Sequence, residues 1–287
     1  MAMSNLGQRL ATAAVLVPAL VAALFWDPTR WSILAFATVA AAFALDEYLR
    51  MILGVTPRVD EQGEALPTDG DGHAALRLVA GLGGATIMVS VGIWGAALAL
   101  PSALTATALA CATTILFQKK YLAEAGKHLA GVFSGLLYVP ALACVWAPLK
   151  GFGPAWLFIT LACAFGSDTL AYFAGRAFGK HKLYPEVSPK KTVEGGIGGL
   201  LGGALAVAGF GSAWLLPEIP VAHALALGLL GSALGQIGDL VESMVKRTYG
   251  VKDSGAILPG HGGLLDRTDA LLFVAPLIYY YYVLVVA

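Results

Sequence analysis

The sequence predicts an all-α, polytopic integral membrane protein of about nine transmembrane helices with a cytoplasm-facing polar site. Three observations predict it. Of the 287 residues, 58% are hydrophobic and only 13% are charged, about half the roughly 25% charged fraction of an ordinary soluble domain. The apolar residues fall in runs long enough to cross a bilayer. The ionisable residues gather in a few segments at the ends of those runs. The 18 Lys and Arg balance the 18 Asp and Glu, which excludes a basic nucleic-acid-binding surface and an acidic solvating domain. A soluble enzyme, a secreted disulfide scaffold and a disordered module are excluded by the same composition.

A spanning helix needs about 20 mainly apolar residues, because each adds about 1.5 Å against a hydrocarbon core of about 30 Å. The first such run is 10–26. Arg9 precedes it as it would a cleaved signal peptide, but the apolar core is long for a signal. The second, 31–49, carries Asp46 and Glu47 near its end, where they read as interfacial anchors. A polar, Pro- and Gly-bearing connector follows at 50–77, and His73 with Asp69 and Asp71 reads there as part of a solvated loop. The third and fourth runs, 78–97 and 101–117, are divided only by a turn expected at Pro101 and Ser102. The fifth is 130–149, the sixth 155–179, and the seventh, 196–216, is rich in glycine. The eighth and ninth are 221–246 and 268–286. The chain thus divides into 1–154, with spans one to five and loop 50–77, and 155–287, with spans six to nine and loops 180–196 and 247–268.

With the N-terminus placed in the cytoplasm, only Arg30 and Lys150 of the 18 basic residues fall outside. This asymmetry is the one that cytoplasmic retention of Lys and Arg produces, and the compact loops suit a bacterial inner membrane. Cys111, Cys144 and Cys163 each sit in an apolar run with no Cys or His at metal-ligand spacing, and read as small core residues. Gly195, Gly199 and Gly203, with Gly198 and Gly202, form small-xxx-small faces. Such faces serve packing within one subunit or across a homodimer.

Charge inside a span is costly and points to function. Asp168 lies about 12 Å deeper along a helix than Arg176, too far to snorkel. Asp168, Tyr172, Gly175, Arg176 and Gly179 share one face. In the loop that follows, Pro189 holds Ser188 extended, and Lys190, Lys191 and Thr192 place two cations and a hydroxyl just before a glycine-rich helix start, a combination suited to phosphate. Asp239, Glu242, Ser243, Lys246 and Arg247 recur at helical spacing on the eighth span. Beyond them come Lys252 and Asp253, a Pro259–Gly260 turn, His261, Gly262 and Gly263, then Asp266, Arg267 and Asp269. Flexible backbone at Gly262 and Gly263 lets this loop fold back over the helix.

Carboxylates without Cys or His favour a hard cation such as Mg2+, and clustered Lys and Arg favour a polyphosphate. That is equipment for phosphoryl or nucleotidyl transfer between a soluble nucleotide and a membrane lipid. A secondary transporter would account for Asp168 but not for the charge between Glu242 and Asp269. No GxxxxGK[ST] phosphate loop and no HExxH motif occurs.

The run S-x-x-K-R-x4-K-D followed by P-x-H-G-G-x-x-D-R-x-D, read here from Ser243 through Lys246, Arg247, Lys252, Asp253, Pro259, His261, Gly262, Gly263, Asp266 and Arg267 to Asp269, resembles the signature of the integral-membrane phosphatidate cytidylyltransferases, also called CDP-diacylglycerol synthases. The likeness extends over roughly 155–287, including the SPKKTVEG and GSDTLAYFAGR segments. It implies the reaction CTP + phosphatidate = CDP-diacylglycerol + diphosphate in phospholipid biosynthesis, with Mg2+ and a second cation such as K+. A related enzyme using CTP on another lipid phosphate is the nearest alternative. The DG-x-x-AR pattern of CDP-alcohol phosphotransferases is missing.

On this resemblance the catalytic set is Asp239, Asp266, Lys246, Arg247, Lys252, Asp253, His261 and Arg267. Asp239 and Asp266 are expected to hold the metal, with Asp168 and Asp269 as second choices. Ser188, Lys190, Lys191, Thr192, Ser243, Lys246 and Arg267 are expected to bind substrate phosphates. His261 is expected to position phosphate or the loop, since a phosphate monoester is already largely ionised at neutral pH and needs no strong base.

Overall fold

The computed structural model describes residues 14, 18–26, 30–56, 72–257 and 262–287, excepting the side chains of 26 and 119–121. Among these residues, eight helical segments are long and apolar enough to cross a membrane. They are Trp31–Ile52 (α1), Ala74–Trp94 (α2), Ala96–Phe117 (α3), the broken segment Leu122–Gly151 containing Ala125–Tyr138 (α4), Pro154–Phe178 (α5), Val193–Leu215, Val221–Thr248 and Leu265–Val286. They correspond to the second to ninth predicted spans. The remaining expected helix, the run 10–26, is described only at 14 and 18–26, of which 22–26 form a π-helical turn. The chain is an all-α polytopic membrane protein. Large side chains such as Leu98, Phe117, Leu205 and Trp214 are exposed along these helices, an arrangement that only a hydrocarbon solvent makes inexpensive.

Three boundaries differ from expectation. The turn between α2 and α3 is at Gly95, whose φ of +85° lies in the left-handed region that a residue lacking Cβ enters without strain. Pro101 instead sits inside α3. The fifth span is interrupted: α4 stops at Tyr138, and the short helices Pro140–Ala143 and Trp146–Gly151 follow, because Pro140 has no N–H to continue the ladder. Segment 180–196 is not all loop. It contains an antiparallel hairpin of Lys182–Tyr184 (β1) and Ser188–Thr192 (β2), and the next helix, Val193–Ala206 (α6), starts at Val193 and continues as a π-helix over Val207–Leu215. The last two long helices are Val221–Thr248 (α7) and Leu265–Tyr281 (α8), leaving 249–264 as the connection between them.

The chain packs as two units. The first comprises Met1–Pro148 and Lys246–Arg267, and the second comprises Leu149–Val245 and Thr268–Ala287. In the first, Ile33, Leu45, Leu49, Leu76, Ile87 and Leu136 fill the core, and the Tyr48 hydroxyl meets Ser134 Oγ at 2.9 Å. His73, expected in a solvated loop, is buried with its ring 4.7 Å from that of His128; Asp69 and Asp71 lie outside the described residues. In the second, α5 and α6 approach through small residues: a Cβ on Gly166 would lie 3.0 Å from Gly202 O. Phe152 stacks on Tyr282 at 3.8 Å between ring centroids. The three cysteines are buried and free, as small core residues are.

Candidate functional site

Two polar clusters arise, one in each unit. In the second unit a cavity of 650 Å³ is lined by Asp168, Tyr172 and Arg176 of α5, Lys190, Lys191 and Thr192 of β2, and Gln236 and Asp239 of α7. Of the expected α5 face, Asp168, Tyr172, Gly175 and Arg176, at spacings of three and four, line it, whereas Gly179 is the extended C-cap of α5 and is not part of the lining. Arg176 Nη1 donates to the Tyr172 hydroxyl at 2.9 Å. Asp168, deep in its span, is exposed to this cavity.

The hairpin delivers the cations. Pro189 keeps β2 extended, and Lys182 Nζ donates to its carbonyl at 2.7 Å. Thr192 is the N-cap of α6, its Oγ1 accepting from Gly195 N at 3.1 Å. The hydroxyl proton is still available to a ligand, since only the oxygen's lone pair serves the cap. Glu194 reaches back over the hairpin: its carboxylate accepts from Lys180 N at 3.1 Å and meets His181 Nδ1 at 2.7 Å. Helix α6 can start this close to α5 because Gly195 has no side chain; a Cβ there would lie 3.3 Å from Gly175 Cα and 3.0 Å from Ala171 O. Replacing Thr192 by Ala is therefore expected to cost about 1 kcal/mol of stability, measurable as a lowered thermal midpoint in detergent. An unchanged midpoint would mean that the cap is dispensable.

Lys191 Nζ pairs with Asp239 Oδ2 at 2.7 Å, while Ser243 Oγ donates to Asp239 Oδ1 at 3.4 Å. Of the residues assigned to phosphate from sequence, Lys190, Lys191 and Thr192 line the cavity, and Ser243 adjoins it through Asp239. Ser188 pairs with Tyr184 in the hairpin and is not part of the lining. Asp269 Oδ1 accepts from Ala270 N at 2.8 Å near the start of α8. Gln236 was missed by sequence reasoning. It stands one turn before Asp239 on α7 and donates through Nε2 to Gly196 O at 3.1 Å, tying α7 to the start of α6. Extending the Asp239–Ser243 stripe back by three residues would have found it.

In the first unit the cluster is built around Asp266. Lys246 Nζ pairs with Asp266 Oδ1 at 2.6 Å, with each side chain 11% exposed. Asp266 Oδ2 accepts from Ser254 N at 3.0 Å and Gly263 N at 2.9 Å, and Ser254 Oγ lies 3.0 Å away. Arg247 Nη1 donates to Val251 O at 3.4 Å. Lys252 and Arg267 are exposed. Asp253 lines a second cavity, of 610 Å³, with Asp46, Arg50 and Ser254. Pro259 and His261 lie outside the described residues.

The interfacial reading expects an exposed or paired acid, and Asp46 is part-exposed and pairs at 2.7 Å with both Arg50 and Arg77. It is overturned for Glu47. That residue is 2% exposed, and its Oε2 accepts from Leu265 N at 2.9 Å and Ser254 Oγ at 3.1 Å. A glutamate on an apolar helix end can be drawn inward when buried donors await it, and here the donors come from the far end of the sequence.

Among the described residues no three His, Cys, Asp or Glu side chains form a group able to hold a metal. The cavity donors nevertheless suit one hard cation: Asp168 and Asp239 supply two carboxylates beside the oxygens of Tyr172, Thr192 and Gln236, and Mg2+ binds through one or two carboxylates, with substrate phosphates and water completing its shell.

The model of a family described as the cytidylyltransferase family matches residues 7–285. A protein of Bacillus subtilis named phosphatidate cytidylyltransferase is 48% identical over 132 residues, which are 46% of this chain and 49% of that protein. One of the same name from Synechocystis is 49% identical over 144 residues, 48% of this chain and 47% of that protein. Another, from Staphylococcus saprophyticus, is 50% identical over 119 residues, 39% of this chain and 43% of that protein. The chain thus spans about half the length, or slightly less, of the curated relatives it matches.

Proposed function

Because the chain belongs to the cytidylyltransferase family, we propose that it transfers the cytidylyl group of CTP to phosphatidate, giving CDP-diacylglycerol and diphosphate, at a bacterial inner membrane with its site facing the cytoplasm. The observation that carries this reading is the second-unit cavity, which sets Arg176, Lys190 and Lys191 beside Asp168, Asp239 and the capped N-terminus of α6. Cations and free helix amides hold phosphate oxygens, and 650 Å³ is within the usual range of about 300–1,000 Å³ for small-ligand cavities. The triphosphate is assigned here.

A phosphatidate phosphate oxygen then attacks the α-phosphorus of CTP in line, forming the new P–O bond as the bond to diphosphate breaks. The attacking oxygen is already ionised, so the chain's work is to position charge rather than to remove a proton. Lys190 and Lys191 hold the phosphates against mutual repulsion, and the Thr192 hydroxyl donates to the same oxygens. Asp239 and Asp168 are the carboxylates assigned to Mg2+ in this cavity, while a metal role for Asp266 rests on the signature alone. When bound, Mg2+ offsets charge on the leaving diphosphate. A second cation such as K+ belongs to the same proposal.

The test uses detergent-purified protein with phosphatidate, Mg2+ and CTP labelled in the base and α-phosphate. Label is expected to pass into the organic phase, to stay aqueous when EDTA is added, and not to be matched by labelled ATP or GTP. Folded protein that leaves all label in the aqueous phase would overturn the reading. Transfer to another lipid phosphate but not to phosphatidate would replace the acceptor and keep the chemistry.

A further inference from the structure

Burying a carboxylate at the end of an apolar helix costs free energy that a Leu or Met of similar volume would not. Glu47 offsets part of it through particular donors to one oxygen. Its Oε2 takes the Leu265 amide, which opens α8, and faces Ser254 Oγ, which is itself 1% exposed. Ser254 Oγ is 3.1 Å from Glu47 Oε2 and 3.0 Å from Asp266 Oδ2, so its single proton is shared between the two carboxylates. Two glycines make room. A Cβ on Gly263 would lie 2.6 Å from Glu47 Oε2, and one on Gly255 would overlap Glu47 Oε1. Gly263 thus matters for close approach, while Gly262, with φ +85°, provides the turn.

We propose that Glu47, a residue of the N-terminal half outside the signature, is a positioning residue for the reaction: it pins both ends of the segment from Ser254 to Leu265 and thereby fixes Asp253 and Asp266, which flank that segment. The inference rests on the cytidylyltransferase reading for its catalytic meaning. Its structural part stands on the hydrogen bonds alone. The hold is made through Oε2, since Glu47 Oε1 is buried without a hydrogen-bond partner, and buried hydrogen bonds at both ends restrict the conformations of the segment between them. Loss of the acceptor leaves the Leu265 amide without this partner and returns Ser254 to Asp266 alone. Asp266 keeps its pair with Lys246, so the loop is loosened rather than unfolded.

The test uses the full chain in detergent with a nitroxide on Ile257→Cys. This position is 42% exposed, whereas the three native cysteines are buried. The wild-type background should give an immobilised spectrum, Glu47→Ala a mobile component, and Glu47→Gln, which keeps one carbonyl acceptor, an immobilised one. In the unlabelled variants, kcat of Glu47→Ala is expected to fall about a hundredfold, as misplacement by about 1 Å from a distance can do. KM for CTP should stay within about twofold, since uniform binding is untouched. Gln should recover kcat to within about tenfold. An unchanged spectrum in Glu47→Ala, or unchanged kcat, overturns the proposal. If Ala prevents folding, Glu47→Asp decides instead: it keeps the charge but shortens the reach, and wild-type kcat in it would equally overturn the proposal. A wild-type chain without cytidylyl transfer would overturn the functional reading, and the spectra would still decide whether Glu47 holds the loop.

Discussion

Asp266→Asn is expected to abolish cytidylyl transfer and to lower the melting temperature of the purified protein in the same variant. Both oxygens of this carboxylate are occupied, Oδ1 by Lys246 Nζ at 2.6 Å and Oδ2 by the Ser254 and Gly263 amides at 3.0 and 2.9 Å. An amide must turn its NH2 either toward the Lys246 ammonium or toward the two N–H donors, so one donor always faces another. The Lys246–Asp266 side chains are each only 11% exposed, and breaking such a pair from one side costs about 3 kcal/mol or more. At roughly 3 °C per kcal/mol the midpoint should fall by on the order of 10 °C. Turnover should fall by about a thousandfold or more, the scale of losing one fixed charge at a transition state. Thermal scans and label transfer on the same preparation check both. Lost turnover with an unchanged midpoint would assign Asp266 to substrate or metal alone, and full turnover would remove it from the catalytic set.

How far the sequence revealed this arrangement depends on how local the cause was. Helices α1 to α8 were legible because a bilayer imposes length and apolarity on every span independently of its neighbours. The α5 face from Asp168 to Arg176 and the extension at Ser188 were legible for the same reason: helical spacing and the ring of Pro189 act within a few residues. The hairpin was not. Its strands of three and five residues are too short to show alternation. The turn at Gly95 was hidden by Pro101, which signals a break but stands inside α3, where it removes one ladder hydrogen bond without ending the helix.

Glu47 was the least legible residue, because its meaning depends on Leu265, 218 positions away. Locally it sits beside Asp46, an acid that does remain part-exposed and paired with Arg50 and Arg77. Nothing in the sequence separates the two adjacent carboxylates. Their opposite fates follow from helical geometry, which turns consecutive side chains by about 100° and so sends one inward and one outward.

Asp239→Asn should remove activity without the loss of stability expected at Asp266. Its pair with Lys191, at 2.7 Å, has side chains 35% and 27% exposed, and at that exposure an ion pair contributes about 0–1 kcal/mol to folding. What the pair does is hold opposite charges at fixed places on a cavity wall shared with Asp168 and Lys190, where a triphosphate with its cation would find each charge already set. Turnover in Asp239→Asn is expected to fall about a thousandfold, with a midpoint within about 2 °C of wild type. Lys191→Ala should behave differently. A lysine that binds the triphosphate equally in ground and transition states raises KM for CTP and leaves kcat, and loss of a charge-assisted hydrogen bond of about 1.5–3 kcal/mol makes that rise about 10- to 150-fold. Steady-state kinetics on the two variants separates these roles. If Lys191→Ala instead lowered kcat with KM unchanged, the lysine would act on charge that develops only as diphosphate departs, and the cavity would be complementary to the transition state rather than to bound CTP.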